Sequence, residues 1–142
     1  MKRCVVDTSV ALKWYFPEPG DDKALALWDD TERELIAPDF ILLEFANAVW
    51  KRTRRGDLHK EEAIEVFSEF RMAGLLLFPL TEVAASALEV AASLGCSVYD
   101  ATYIATAAIL ECPLITADLK LFRLSASGPF ADLVKLLDTW QS

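Results

Sequence analysis

The chain has a single histidine, His59, set in the polar stretch Gly56-Asp57-Leu58-His59-Lys60. With one imidazole in that setting, Ser-His-Asp triads, Cys-His pairs and His-rich zinc sites lose their central group. Cysteine is scarce and odd in number: Cys4, Cys96 and Cys112 stand far apart and no Cys-x-x-Cys occurs. Neither a zinc ribbon nor a disulfide scaffold fits, and a reducing, cytoplasmic compartment is the expectation. Glycine (5) and proline (6) are too few for a fibrous or low-complexity chain. The ~18 consecutive apolar residues of a membrane span are absent. The apolar run after Lys2-Arg3 is broken by Asp7, so neither a membrane nor a signal peptide is expected. Positive charge is short as well: 14 Lys and Arg stand against 22 Asp and Glu, a net charge of −8. A protein that coats nucleic acid through its overall field has the opposite sign. Contact with nucleic acid would need a local basic patch or bound cations.

What is present is apolar: 54% of the 142 residues are hydrophobic. That supports one sizeable core, and a single domain over residues 1–142 is the expectation. Cys4-Val5-Val6, Leu35-Ile36-Ala37, the run Leu75 to Leu80 and Pro113 to Asp118 read as short buried strands, with a fifth over Leu133 to Leu137. Helical spacing predicts helices over Val10 to Phe16, from Asp21-Asp22 through Trp28, and from about Phe40 to Arg55. Three more are predicted over Lys60 to Ala73, from Thr81 to Gly95, and from Tyr99 to Glu111. Strands that do not alternate polar and apolar, interleaved with helices, favour a parallel sheet covered on both faces. The fold class is therefore α/β, an α/β/α sandwich with a four- or five-stranded parallel sheet. In such sheets ligands sit outside the carboxyl ends of the strands.

Four acids resist dismissal as solvated charge. Asp7 follows the first strand and Asp118 the fourth; if these strands are parallel neighbours, both carboxylates emerge on one edge of the sheet. Asp100 stands at the start of the Ala-rich helix. Glu44 is the only charge between Asp39 and Lys51. Asp is a favoured N-cap, so Asp7, Asp100 and Asp118 can each be read as helix caps. Glu44, Asn47, Lys51 and Arg55 fall on one helical face, which reads as a solvent stripe. Taken together, carboxylates converging on one cleft repel one another. A divalent cation removes that repulsion. The all-oxygen donor set suits Mg²⁺ or Mn²⁺ rather than zinc or copper.

The stretches Val5-Val6-Asp7-Thr8-Ser9-Val10-Ala11-Leu12-Lys13, Leu43-Glu44-Phe45-Ala46-Asn47-Ala48, Val98-Tyr99-Asp100-Ala101-Thr102-Tyr103-Ile104-Ala105 and Leu114-Ile115-Thr116-Ala117-Asp118 occur in this order. In that order they resemble the PIN domain family, and more narrowly the VapC-type toxin ribonucleases of VapBC toxin–antitoxin pairs. The resemblance implies Mg²⁺- or Mn²⁺-dependent cleavage of single-stranded RNA, a cognate antitoxin and a homodimer. It implies that Asp7 and Asp100 hold the metal, with Asp118 ligating directly or through water. Glu44 would orient or activate the attacking water, or reach a second ion. Thr8, Ser9, Asn47 and Thr116 are candidate supporting groups, though the hydroxyls suit helix starts and strand ends equally well.

The one dense basic run is Lys51-Arg52-Thr53-Arg54-Arg55. Lys51 and Arg55 are candidates to guide an RNA backbone; as a helix C-terminus, the run also complements the dipole. An aspartyl phosphotransferase fails because Asp7 is followed by Thr8-Ser9, with no second Asp two residues on. A receiver-type phosphoacceptor fails because the third strand ends Phe78-Pro79-Leu80-Thr81. A housekeeping RNA-processing nuclease and a non-catalytic interaction module of the same fold stay open at this stage.

Overall fold

The computed structural model describes residues 1–141. The chain runs β1 (Lys2–Val6), α1 (Thr8–Leu12), α2 (Asp21–Asp29), β2 (Arg33–Pro38), α3 (Ile41–Arg54), α4 (Lys60–Arg71) and β3 (Leu76–Phe78). It continues α5 (Leu80–Leu94), α6 (Val98–Leu110), β4 (Leu114–Thr116), α7 (Leu119–Ser125) and β5 (Val134–Leu136), closing on a 3₁₀ turn, Leu137–Thr139. Among the described residues no helix is long and apolar enough to cross a membrane.

The five strands form one sheet in the order β3-β2-β1-β4-β5. Every pairing is parallel, with Val5 opposite Leu114 and Val6 opposite Ile115 at the centre. The chain steps outward from β1 to β2 and β3, then returns to lay β4 on the other side of β1. Right-handed crossovers carry α1–α4 to one face and α5–α7 to the other. The order therefore reverses between β1 and β4, where an open parallel sheet leaves a crevice at its carboxyl edge. Cys4, Val5, Val6, Leu114 and Ile115 are fully buried, as unbroken apolar strands must be when helices cover both faces.

Each face packs differently. On one, Trp14 stacks on Trp28 at 5.2 Å, and Phe45 stacks on Phe70 at 3.9 Å, with Tyr15 edge-on to both phenylalanines. The indoles are satisfied: Trp14 Nε1 donates to the Ala24 carbonyl and Trp28 Nε1 to the Ala73 carbonyl, each at 2.9 Å. On the other face α5 packs on α6, and Ala87 and Ala91 of the one and Ala101 and Ala105 of the other are all buried. Helix α6 has seven consecutive buried residues, Ala101 to Ala107, the mark of a central helix apolar all round. Thr102 and Thr106 fit there because their hydroxyls donate to the carbonyls four residues back, both at 2.7 Å.

Three expectations are corrected. The first helix begins at Thr8 and ends at Leu12; Lys13 to Phe16 continue as tight turns that swing Trp14 and Tyr15 into the aromatic cluster. The leucine run at β3 is a three-residue edge strand with Leu76 and Leu77 exposed, because topology gives it a neighbour on one side only. Helix α7 was not anticipated. Asp118, read both as the strand's exit and as a helix cap, is its N-cap and accepts from the Leu121 N–H at 3.1 Å.

Candidate active site

The β1–β4 junction is built around Asp7, which is 5% exposed. Its Oδ1 accepts from Ser9 Oγ at 2.5 Å and from the Val10 N–H at 3.3 Å, so it also caps α1. Its Oδ2 accepts from Thr116 Oγ1. Both hydroxyls also bind the exit of β4: Thr116 Oγ1 accepts from the Asp118 N–H at 3.0 Å, and Ser9 Oγ reaches across from α1 to accept from the Ala117 N–H at 2.9 Å. Capping and site-building are thus not exclusive. One carboxylate oxygen starts a helix while the other is pinned to the strand that delivers Asp118.

Glu44 projects from the first turns of α3, half-buried. Its Oε1 accepts from Thr8 Oγ1 at 2.5 Å and from the Tyr103 hydroxyl at 2.7 Å, and those two hydroxyls lie 3.0 Å apart. Its Oε2 takes no hydrogen bond from the protein among the described residues. Tyr103, 2% exposed on α6, is held in its protonated form by burial and by the neighbouring Glu44, so it is a fixed donor. The sequence reading missed Tyr103. Its signal was a phenol in the helix Ala101-Thr102-Tyr103-Ile104-Ala105, three residues from Asp100 and so on the same side.

Asp100 lies in the first turn of α6, but the cap of that helix is Ser97, whose Oγ accepts from the Asp100 N–H at 3.1 Å. The capping explanation that fits Asp7 and Asp118 therefore fails for Asp100. Burial pushes the Asp100 carboxyl up, and Asp118 and Glu44 add to the shift, with Lys120 opposing it. Asp7 is pushed up from 3.8 to about 6, chiefly by burial. The hydrogen bonds from Ser9, Thr116 and Val10 pull it back, and Asp118 pushes it further. Mutual repulsion of this kind requires the acids to share one neighbourhood. None of the four takes part in an ion pair among the described residues.

The same residues do not form a ready-made cage: no group of three His, Cys, Asp or Glu side chains is set to hold an ion among the described residues. Hard divalent ions do not need one. Mg²⁺ keeps several waters and is commonly held by one or two carboxylates plus substrate phosphate. A set of buried and half-buried oxygen donors, two of them with raised pKa values and none in an ion pair among the described residues, fits such an ion.

The flanking candidates are less engaged. Asn47 and Lys51 are exposed on α3. Arg55 Nε pairs with Asp57 at 3.1 Å on the surface, a contact that contributes at most about 1 kcal/mol. Arg52, between them, is tied to Glu18 at 2.5 Å and lies over the Phe16 ring. Part of the basic run is thus committed to the protein's own acids.

Comparison with known proteins identifies the family. Residues 4–126 match the family described as PIN domain. Ribonuclease VapC3 of Pyrobaculum aerophilum is 35% identical over 122 residues, covering 84% of this chain and 92% of that protein. Among solved structures, PAE2754 from Pyrobaculum aerophilum superposes with a TM-score of 0.70 at 19% identity, covering 97% of this chain and 92% of that one. A toxin–antitoxin complex from Klebsiella pneumoniae gives 0.62 at 16% identity, covering 94% and 97%. With its acids gathered where β1 and β4 part, the chain belongs to the PIN domain family, in the branch of the VapC ribonucleases.

Proposed function

We propose that this protein is an Mg²⁺- or Mn²⁺-dependent endoribonuclease acting on single-stranded RNA, and the toxin of a toxin–antitoxin pair. The observation that carries this reading is the gathering of Asp7, Glu44, Asp100 and Asp118 at the β1–β4 switch point, none of them in an ion pair among the described residues. A bound divalent ion supplies charge neutralisation at the scissile phosphate and a more acidic water. Asp7, Asp100 and Asp118 are the residues that would hold it. Thr116 and Ser9 fix Asp7 against the β4 exit, so the donors keep their positions before substrate arrives. Glu44 is held through Oε1 by Thr8 and Tyr103, which leaves Oε2 to take a proton from the attacking water. Lys51 and Arg55 are candidate contacts to the RNA backbone, with Asn47 beside them on the same face.

The antitoxin has a candidate seat. Between α3 and α4 an apolar groove runs past two cavities of about 270 and 320 Å³ that share Ala46 and Phe67. Leu43, Trp50 and Ile64 are 69%, 53% and 68% exposed along it. A contiguous apolar strip of this kind on a charged surface marks an interaction site. The homodimer that the family resemblance implies belongs to the same proposal.

Single-stranded RNA incubated with Mg²⁺ or Mn²⁺ is expected to be cleaved by the wild-type protein, and not after EDTA or in Asp100→Asn. Cleavage indifferent to both chelator and substitution overturns the mechanism. Tyr103→Phe removes one donor from Glu44 and little volume. It is expected to lower kcat about ten- to a hundredfold, the range for groups that orient a metal site from behind. Substrate KM and the thermal midpoint should stay near wild type; an unchanged kcat would show that Thr8 alone holds Glu44.

A further inference from the structure

At the rim of the acid cup Phe40 and Tyr99 stack face to face, with ring centroids 5.3 Å apart and planes inclined by 13°. Both positions adjoin candidate acids along the chain. Phe40 leads into α3, one turn before Glu44, and Tyr99 immediately precedes Asp100. Tyr99 is 64% exposed. One face of its ring rests on Phe40, and most of the residue is open to solvent. A contact serving only to tie α3 to α6 would be expected to cover its ring, as the Phe45–Phe70 pair does on the other side of α3.

The electrostatics raise a question that the stack answers. The chain carries a net charge of −8, its site is a cluster of carboxylates, and Arg52 and Arg55 are engaged by Glu18 and Asp57. Phosphate contacts alone give such a protein little hold on a polyanion. Stacking requires no charge: an unpaired base offers a flat π-face, and an exposed aromatic ring is a sequence-tolerant partner for it. A base inside a duplex is already stacked and paired, so a platform of this kind also selects single strands.

We propose that the Phe40-backed Tyr99 ring is a nucleobase platform, on which one unpaired base of the RNA stacks beside the scissile phosphate. The proposal rests on the ribonuclease reading above. The acids engage the phosphate, and the stack holds the neighbouring base and fixes which phosphate enters the cup.

The test is steady-state cleavage of a short single-stranded RNA in Mn²⁺. Tyr99→Ala should raise KM roughly ten- to a hundredfold, the scale of one lost base stack, with kcat little changed. Tyr99→Leu keeps an apolar contact with Phe40 but cannot stack, and should behave like Tyr99→Ala. Tyr99→Phe should match wild type. Walking a single abasic nucleotide along the substrate should reveal one position that raises KM for wild type and adds nothing in Tyr99→Ala. An unchanged KM in Tyr99→Ala and Tyr99→Leu overturns the platform, as does a Tyr99→Phe variant as impaired as Tyr99→Ala. So does an abasic penalty that persists in full without the ring. In each of those cases wild type still cleaves RNA and the ribonuclease reading stands. Absence of wild-type cleavage removes both.

Discussion

An Asp7→Asn variant is expected to lose RNA cleavage by a factor on the order of 10²–10³, the loss typical of removing one preorganised charge-stabilising group. It should nevertheless be more stable than the parent in metal-free buffer near neutral pH. Asparagine keeps the oxygen that accepts from Val10 and Ser9, so the α1 cap survives. Its amide nitrogen takes the place of Oδ2 and turns the contact with Thr116 around. The Thr116 hydroxyl already accepts from the Asp118 N–H and has a second lone pair for this role. What disappears is a buried negative charge beside Asp118. With the carboxyl raised from 3.8 to about 6, the stabilisation is on the order of 3 kcal/mol at about 1.36 kcal/mol per pKa unit. Urea denaturation in EDTA, paired with a cleavage assay, checks both halves. A variant that is inactive and also less stable would mean that the charge is compensated within the protein.

The second large effect is the response of stability to pH and to divalent ions. The folded chain retains the Asp7 proton up to about pH 6, whereas an unfolded carboxyl releases it near 3.8. Between those values the native state binds more protons than the unfolded state, so stability falls as pH rises through the window. Asp100, shifted upward by burial and by Asp118 and Glu44, adds a slope of the same sign. In chelator the difference in unfolding free energy between wild type and Asp7→Asn should therefore widen with rising pH and level off above about 6. Added Mg²⁺ or Mn²⁺ should restore the wild type alone, by about 2.7 kcal/mol at a hundred times the dissociation constant. Equal stabilisation of both proteins by the ion would remove Asp7 from the binding set.

The four acids stood out in the sequence, Glu44 as a charge in apolar company, and the meeting of Asp7 with Asp118 was expected if their two strands were parallel neighbours, as β1 and β4 are. Their local partners were less legible. A cap can be read from a few neighbouring residues, yet α6 takes Ser97 where Asp100 was the candidate. Asp118 was readable as a cap, but the seven-residue helix it starts is too short to show a period. Tyr103 meets Thr8 across 95 positions of sequence, a contact made by the packing of α6 over the central strands that no local pattern encodes. The leucines of β3 carry a buried strand's composition, and only the strand order reveals that they lie at the margin.

The bond from Thr116 to Asp7 spans 109 positions of sequence, and it joins the first strand to the fourth. A ribosome that has delivered Asp7, Glu44 and even Asp100 has not yet made Thr116, which anchors Asp7 to β4, or Asp118. A growing or prematurely terminated polypeptide therefore lacks the β4 half of the carboxylate cluster, and the crevice beside β1 has only one wall.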